Sequence, residues 1–390
     1  MKKVDAFDIY MKLICLLPIS TLFQSYIESI NKIIILIVFI LQIAIITKNK
    51  LNKKIFVLLM ISLVNYLFTL FNTENLVFSN AIIYFINWMI YVVFVIQNKV
   101  RFTEWFIQNK KYLSVIITIW STLVFISIFL PSSYYDKEAG ASYFSSFTGS
   151  IFRLAPTALF VMSLALILIT VFEDRKAILF CLIPLYCGAM GSSRTYFVII
   201  LLVFLMCVMS WCKTKKQFLL MLLPIIIGVV VLYFHSSLSL KVQYTLNANQ
   251  YGDFWYRITS SRSVIWSKVL SAFEKSSLYN KFTGNGFGFS NRVAWHYSHN
   301  DFIEILATHG YIGVTLYFLS IVYLIKEMLP RDLKVKLGVY LIIFLVWIIN
   351  AFFNMFYWYT CSALSFPILL VAAICGSHFK KRMDLTVDDD

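Results

Sequence analysis

Long apolar runs alternate with short polar segments along most of the chain. The hydrocarbon core of a bilayer is about 30 Å thick, and a helix needs roughly 20 apolar residues to cross it. The runs are continuous and lack the period-two alternation of a membrane β-barrel, which favours helices. The pattern predicts an all-α, polytopic membrane helical bundle. Its twelve candidate transmembrane helices are residues 10–24, 33–47, 55–71, 81–97, 112–130, 151–172, 177–193, 195–211, 217–234, 311–325, 337–356 and 360–376.

The basic residues predict how these segments are oriented. If the N-terminus is cytoplasmic, 22 of the 34 Lys and Arg residues fall in cytoplasmic segments and 11 in outer segments, while Lys12 lies inside the first candidate helix. Cytoplasmic loops of membrane proteins carry such an excess of basic residues. The excess recurs at every second loop, and an even number of crossings returns the C-terminal tail to the starting side. We therefore expect a multi-pass membrane protein with both termini in the cytoplasm.

Two outer segments are too long to be simple connections. Residues 131–150 are polar and rich in Ser and Tyr, and residues 235–310 far exceed an ordinary loop length. Because 235–310 keeps many apolar and aromatic residues, we expect it to be folded and to carry chemistry. The predicted domains are residues 1–234 with nine transmembrane helices, 235–310 as the large external loop, 311–376 with three more helices, and a cytoplasmic tail over 377–390.

Composition narrows the class of protein. Hydrophobic residues make up 60% of the chain and charged residues 14%, against about 45–50% and 25% in ordinary globular domains. This excludes a soluble enzyme, a disordered chain and a disulfide-stapled secreted domain. The net charge of +15 comes from short basic runs between apolar segments rather than from one face, so we expect no nucleic-acid partner. The seven cysteines lack metal-ligand spacing and are interpreted as small apolar side chains.

The longer outer segment contains an amphipathic pattern. Between Arg257 and Phe273, apolar residues recur every four positions, which predicts a helix. Ser260 or Ser261 is a candidate N-cap and would place Arg262 in the first helical turn. A cation there opposes the helix dipole, so Arg262 is a candidate for binding an anion. The alternative is a solvated surface arginine.

Farther along, the stretch Gly284-Asn285-Gly286-Phe287-Gly288 is rich in glycine. It lacks the Lys-Ser/Thr pair of a phosphate-binding P-loop, and no predicted strand precedes it. We interpret it as a turn, or as a place where two stretches of backbone approach closely.

A histidine then precedes another apolar pattern. Ser298 and Asp301 have the spacing of a capping box, with Asp in place of the usual Glu. His299 would lie in the first turn of the helix, whose positive end disfavours an imidazolium. A neutral imidazole is what a general base needs; the alternative is a histidine that only hydrogen-bonds its neighbours. His296 and His309 are nearby competitors, but no carboxylate or cysteine completes a metal site with them.

Arg194, in Gly191-Ser192-Ser193-Arg194, lies between two apolar runs with no room for a longer loop. An ionisable residue at membrane depth is a functional candidate, because leaving it unpaired there is costly. The alternative is an arginine that extends to the interface from a helix end, and this alternative is stronger for Arg153. The outer face thus offers several arginines and one neutral histidine. The planar guanidinium group of arginine presents several N–H donors that match phosphate oxygens. The pattern therefore fits group transfer from a lipid-linked diphosphate, with His299 activating a hydroxyl.

Four ordered segments resemble the O-antigen ligase/polymerase superfamily. They are an Arg-x-x-x-Trp helix at Arg262–Trp266, a Gly-x-Gly turn at Gly284–Gly288, a His-Asn pair at His299-Asn300 followed by Gly310-Tyr311-Ile312-Gly313, and an arginine-bearing motif at Gly191–Arg194. These motifs span about residues 190–315, and the rest of the chain matches by topology.

The resemblance implies a GT-C-like, metal-independent, inverting glycosyltransferase that needs no cofactor. Its donor would be an undecaprenyl-diphosphate-linked glycan at the outer face of the bacterial cytoplasmic membrane. By motif position, the catalytic residues would be His299, Arg262 and Arg194, with both arginines on the donor diphosphate and the histidine as base or acceptor-positioning residue. The substrate-binding residues would be Arg257, Trp266 and Asn300.

Polymerases and ligases share these motifs. A polymerase moves the growing O-antigen, capsular or exopolysaccharide chain onto a new lipid-linked repeat unit, with a chain-length regulator as a further partner. A ligase moves the glycan onto lipid A core or a protein. We favour the polymerase because the sequence shows no extra domain for a protein acceptor. A lipid-linked oligosaccharide flippase would also explain the spans, but transporters place charges or broken helices near the midplane, and these spans are nearly uncharged away from their ends.

Overall fold

The apolar runs form helices in the computed structural model, which describes residues 5–48, 51–74, 91–137, 141–246, 253–328 and 337–386. Helix accounts for 83% of the structure, so the predicted helical class is confirmed. Up to residue 235 the helices are α1 Ala6–Leu22, α2 Glu28–Lys48, α3 Lys53–Phe71, α4 Tyr91–Gln97, α5 Lys99–Gln108, α6 Lys110–Ile128, α7 Ile151–Phe172, α8 Ala177–Phe180, α9 Leu182–Met190, α10 Arg194–Trp211 and α11 Lys215–His235. Beyond it they are α12 Leu238–Leu246, α13 Phe254–Ile258, α14 Arg262–Glu274, α15 Leu278–Thr283, α16 Phe289–Ala294, α17 Asp301–Met328, α18 Leu337–Asn354 and α19 Thr360–Thr386.

Seven of the described helices are long and apolar enough to cross a membrane: α2 from Ser29, α3, α6, α7, α10, α11 and α17. Shorter apolar helices run over Ala177–Met190, Val339–Asn354 and Thr360–Cys375. The chain is therefore a helical membrane protein. The count of twelve crossings stays a prediction, and residues 81–90 of the fourth predicted segment lie outside the described residues.

Helix α7 lies at the centre of the bundle. Nearly all of its side chains are buried, and it packs against α1, α6, α9, α10 and α19. Peripheral helices such as α2 and α3 instead expose many Ile, Leu and Phe side chains. Exposed apolar surface of this extent is unusual for a soluble monomer and is the surface a bilayer would cover.

The two ends of α7 mark the two ends of the bundle. At the start of α7, the ring of Phe152 stacks on that of His299, with ring centroids 5.9 Å apart. Just beyond the other end of α7, Asp174 pairs with Lys110 at 3.3 Å. Since α7 has 22 residues, it is about 33 Å long, so these two contacts are separated by about the thickness of a bilayer core.

The segment 131–150 contains a sheet that the sequence pattern did not predict. Strands β1 Tyr134–Lys137 and β2 Ala141–Phe144 pair antiparallel. Lys241 of α12 lies over the ring of Tyr143 in β2, with its Nζ atom 4.6 Å from the ring centroid. This contact connects the segment 131–150 to the segment 235–310 at the His299 end of the bundle.

Candidate functional site

Arg194 begins helix α10 directly after the turn 191–193, as the sequence predicted. Its guanidinium donates to Thr245 Oγ1 in α12, to two carbonyl oxygens at the end of α13 (3.2 and 3.3 Å) and to Ser260 Oγ (2.5 Å). Every one of these acceptors is neutral. Arg194 therefore joins the bundle to the folded segment 235–310, and none of these contacts neutralises its positive charge.

The helix predicted over residues 257–273 is interrupted between α13 and α14, so that prediction is wrong in part. Ser260 and Ser261 have left-handed φ angles of 54° and 68°. The hydroxyl of Thr259, rather than Ser261, accepts a backbone N–H from the first turn of α14 at 3.0 Å. The apolar spacing continues through the break, and for this reason periodicity did not detect it. Arg262 still occupies the predicted place in the first turn.

Arg262 reaches from α14 to the main bundle, where its guanidinium donates to the carbonyl oxygen of Phe353 at the end of α18. Burial, together with the positive charge of Arg194, lowers the pKa of Arg262 to about 10. Among the described residues, neither arginine forms an ion pair with a carboxylate. Two neighbouring cations held by neutral acceptors create a positive potential that suits a multiply charged anion.

His299 lies beside this arginine pair. Burial lowers the pKa of His299 to about 4, and the charges of Arg262 and His296 act in the same direction. The imidazole is therefore neutral at pH 7, as the sequence predicted. The reason is different, however, because burial and neighbouring charge hold it neutral rather than the dipole of a helix that contains it.

The predicted cap of α17 is wrong in detail. The helix begins at Asp301, so His299 precedes it, with a positive φ of 50°. Asn300 is the capping residue, since its Oδ1 accepts the backbone N–H three residues on at 3.1 Å. The carboxylate that reaches back is Glu304, which accepts from the backbone N–H (3.1 Å) and the hydroxyl (2.8 Å) of Ser298. Buried Glu304 thereby fixes the turn that carries His299.

The three predicted substrate-binding residues form the frame of the site. Trp266 donates from Nε1 to the carbonyl oxygen of Ser298 at 2.6 Å, which ties α14 to the His299 turn. Asn300 is buried as the cap of α17. Arg257 is buried beside Arg194, and its Nη1 has no hydrogen-bond partner among the described residues.

Two further residues lie near the site: Tyr359, which no sequence motif marks, and Arg153, for which the sequence favoured an arginine that extends to the interface. Tyr359 lies in the short link between α18 and α19, within electrostatic reach of Arg153 and Arg262. Burial raises the pKa of Tyr359 to about 12, although the two arginines act in the opposite direction. Tyr359 sits in an aromatic run at the end of an apolar segment, which is the ordinary composition of a membrane interface. Arg153 follows Phe152, the residue that stacks on His299.

His309, which competed with His299 in the sequence, and Arg292, to which the family resemblance assigns no motif position, have structural roles away from Arg194, Arg262 and His299. His309 shares a hydrogen bond with Thr69 (2.8 Å), and Asn65 donates to its carbonyl oxygen (3.2 Å), so it joins α17 to α3. Arg292 pairs with Glu74 at 3.6 Å and donates to two carbonyl oxygens of the glycine-rich stretch.

The glycine-rich stretch is a close backbone approach, as the sequence suggested. Gly284 has a φ of 92°, and a Cβ atom there would lie 1.9 Å from the carbonyl oxygen of Thr308. Gly310, with a φ of 67°, faces it, and a Cβ atom there would lie 2.4 Å from the carbonyl oxygen of Phe282. Only glycine fits such contacts, so this pair fixes the kink of α17 at Gly310, eleven residues after His299.

In the described part of the chain, no group of three or more His, Cys, Asp or Glu side chains could hold a metal ion. No protein-family model matches the chain, and no curated protein matches it either. Two adjacent arginines can bind a diphosphate, and a neutral imidazole beside them can accept a proton.

Proposed function

We propose that this protein is a membrane-embedded, metal-independent, inverting glycosyltransferase of GT-C-like architecture. It polymerises undecaprenyl-diphosphate-linked repeat units into O-antigen or capsular polysaccharide at the outer face of the bacterial cytoplasmic membrane. One observation carries the proposal: Arg194 and Arg262 converge next to a neutral His299, and neither pairs with a carboxylate among the described residues. This combination suits a reaction in which a diphosphate leaves and a hydroxyl attacks.

The arginine pair supplies the binding and the charge stabilisation. The planar guanidinium groups of Arg194 and Arg262 donate to the diphosphate oxygens of the donor. Negative charge grows on the phosphate oxygen next to the sugar as the bond from sugar C1 to that oxygen breaks. Donors already aimed at this oxygen stabilise the transition state more than the ground state.

His299 supplies the proton acceptor. The hydroxyl of the acceptor glycan attacks C1 from the face opposite the diphosphate, so the new glycosidic bond has inverted configuration. The hydroxyl proton passes to the free imidazole nitrogen of His299, and the electron pair of the broken bond leaves with the diphosphate. Glu304 and Asn300 hold the turn in which His299 lies, so the imidazole stays in place during the transfer.

Ion pairs support the placement of this site on the outer face. Of the five ion pairs among the described residues, Lys12–Asp8 is local to α1, and the other four each join residues that the basic-residue pattern predicts on one side of the membrane. The pairs between residues predicted to be cytoplasmic are Lys99–Glu327, Arg101–Asp5 and Lys110–Asp174, and the pair between residues predicted to be outside is Arg292–Glu74. Arg194, Arg262 and His299 lie at the end of the bundle opposite the first group.

Purified protein with its lipid-diphosphate-linked repeat unit, and no other enzyme, tests the proposal. We expect a ladder of glycan products on a gel, lost in the Arg262→Ala and His299→Ala variants. Lys268→Ala is the matched control, because Lys268 is an exposed cation on the same helix as Arg262. It should leave the ladder unchanged.

The other outcomes identify the alternatives. Transfer that occurs only after lipid A core or a protein acceptor is added would make the enzyme a ligase. Folded protein that gives neither product, but moves the lipid-linked glycan across vesicle membranes, would make it a flippase and would refute the transferase.

A further inference from the structure

Helix α15, in the segment 235–310, turns its apolar side chains away from the protein. Leu278 is 73% exposed, Tyr279 51% and Phe282 49%, and their spacing places all three on one face of the helix. The opposite face is polar and meets the protein. Thr283 is buried there, and its hydroxyl accepts from the side chain of Asn72 at 3.3 Å. A helix on the surface of a soluble protein has the reverse arrangement, with its apolar face inward.

The preceding helix has the ordinary arrangement. Beyond its first turn, α14 exposes Lys268, Ser271 and Glu274 and buries Val269 and Phe273. This is the pattern of a helix that faces water on one side and the protein on the other. Two consecutive helices of the same segment therefore face different surroundings, which are water at α14 and an apolar medium at α15.

Contact with α3 fixes the level of α15 in the bundle. The ring of Tyr279 meets that of Phe68 edge-on, with centroids 6.1 Å apart, and Phe68 lies in the last turn of α3. Helix α3 begins at Lys53 and has 19 residues. It is therefore about 28 Å long, which is close to the thickness of a bilayer core. The last turn of α3, and α15 beside it, thus lie where the core ends.

Contact with α17 gives the same level independently. The ring of Phe282 lies 5.9 Å from that of Tyr311, measured between centroids. Tyr311 follows the kink at Gly310, begins the predicted transmembrane segment 311–325 and is itself 48% exposed. Aromatic side chains are enriched where a membrane meets water. Helix α15 therefore lies between the ends of two apolar helices that cross the membrane.

We propose that α15 is an interfacial helix that inserts Leu278, Tyr279 and Phe282 into the leaflet at the His299 end of the bundle, where acyl chains meet head groups. The lipid that covers the exposed apolar side chains of α3 then covers α15 as well. Helix α15 contains no acidic residue, and Lys281 can extend its ammonium group to the lipid phosphates. A helix in this position lies on the membrane without spanning it.

This anchor acts on the candidate site through α17. Directly after α15, the backbone N–H of Asn285 donates to the carbonyl oxygen of Ala307 at 3.0 Å, and that of Gly286 donates to Thr308 at 3.3 Å. Insertion of α15 thereby holds the first half of α17, which follows His299, at a fixed depth. The anchor does not depend on the proposed reaction, because it follows from the surfaces of α3, α15 and α17.

Fluorescence quenching tests the anchor. Full-length protein in nanodiscs carries a cysteine-linked bimane at Leu278→Cys or, as a second position, Phe282→Cys. Lys268→Cys on α14 is the matched control in water, and Val64→Cys on the exposed surface of α3 is the matched control in lipid. One quencher is a phosphatidylcholine with a nitroxide near the head-group end of an acyl chain, and the other is iodide in the buffer. Wild-type protein treated with the same reagent gives the background of the native cysteines.

We expect the labels at 278 and 282 to lose fluorescence to the nitroxide lipid as the label at 64 does, and to resist iodide. The label at 268 should show the opposite preference. Labels at 278 and 282 that iodide quenches as strongly as the label at 268 would place α15 in water. Labels that neither quencher reaches would mean that a protein surface, such as a second copy of this chain, covers α15. Either result would overturn the anchor and leave the proposed function untouched, which the glycan ladder tests separately.

Discussion

At the scale of single residues, the contribution of the two arginines to the transfer rate is expected to depend on the planar shape of the guanidinium group as well as on its charge. Arg262 donates to the carbonyl oxygen of Phe353 from one nitrogen of its guanidinium, and in the proposed mechanism the rest of that group donates to the diphosphate. Arg262→Ala should lower the transfer rate by about 10²-fold or more, the usual effect of removing one preorganised donor. Arg262→Lys keeps the charge but loses the planar fork, so it should recover only part of that rate. Steady-state transfer rates of the two variants measure the difference.

A full recovery by lysine would show that Arg262 contributes charge alone, and a normal rate in the alanine variant would remove it from the site. Tm values of both variants must stay close to that of the wild type, because a loss of folding would also lower the rate.

His299 should give a pH dependence that changes when the donor binds. The pKa of His299 is about 4 in the free protein because burial and the charge of Arg262 disfavour the imidazolium. A base must be neutral, so kcat/KM should be level near neutral pH and fall as the pH drops through about 4. Bound diphosphate offsets the arginine charge and raises the pKa of His299 in the complex. The acidic limb of kcat should therefore lie at higher pH than that of kcat/KM.

Measurements of kcat and of kcat/KM as a function of pH test this prediction. Identical acidic limbs would mean that the diphosphate does not bind near the imidazole. An acidic limb near pH 6.5 in kcat/KM would mean that His299 is solvated in the free protein.

At the scale of elements, the kink of α17 should be intolerant of any side chain. A Cβ atom at Gly310 would lie 2.4 Å from a backbone carbonyl oxygen, and the residue has a positive φ. Gly310→Ala should lower the stability by about 3 kcal/mol or more, because both strain and overlap oppose it. Gly228→Ala is the matched control, since its Cβ meets nothing within 4 Å and helix α11 gains about 0.5–1 kcal/mol from alanine.

Thermal unfolding in detergent, followed by the loss of the monodisperse peak in gel filtration, compares the two glycine variants. A wild-type Tm for Gly310→Ala would show that α17 can straighten, and the close approach to residues 282–284 would then not be required.

The turn that holds His299 should depend on the acceptor atoms of Glu304. Its carboxylate accepts from both the backbone N–H and the hydroxyl of Ser298. Glu304→Gln keeps one acceptor oxygen, whereas Glu304→Leu keeps none and leaves a buried N–H unpaired, at a cost of about 1–3 kcal/mol. We expect the leucine variant to lose most of its transfer rate and the glutamine variant to keep most of it. Similar rates in the two variants would argue against this role.

Periodicity predicted the helices because burial against a neighbouring helix or exposure to lipid requires continuous apolar sequence over many turns. Periodicity failed where the backbone conformation of only a few residues determines the structure. The break between α13 and α14 depends on two serines in left-handed conformations, and these leave the apolar spacing intact. The strands at 134–137 and 141–144 are too short to give a pattern.

The two arginines and the histidine of the candidate site were predicted from the sequence, whereas some of the residues that surround and support them were not. Arg194, Arg262 and His299 stand out because a charge or an imidazole is rare in an apolar sequence. Glu304 and Tyr359 do not, since their roles depend on contacts across the fold rather than on spacing. The neutral state of His299 was predicted correctly for an incomplete reason, because the burial that lowers its pKa is a tertiary property.

At the scale of the whole molecule, the mechanism requires one orientation in the membrane. In the proposed reaction the donor glycan is on the outer face, so Arg194, Arg262 and His299 must be there too. Lys268 lies on α14 with Arg262, and Glu104 lies on α5 among residues predicted to be cytoplasmic; both are exposed. Six of the seven native cysteines are buried and Cys212 is half-buried, so their labelling background should be low. We expect a membrane-impermeant maleimide to label Lys268→Cys in intact cells, and Glu104→Cys only after the cells are opened. The reverse result would place the arginine pair in the cytoplasm, out of reach of the donor, and no rearrangement of the site could then preserve the proposed reaction.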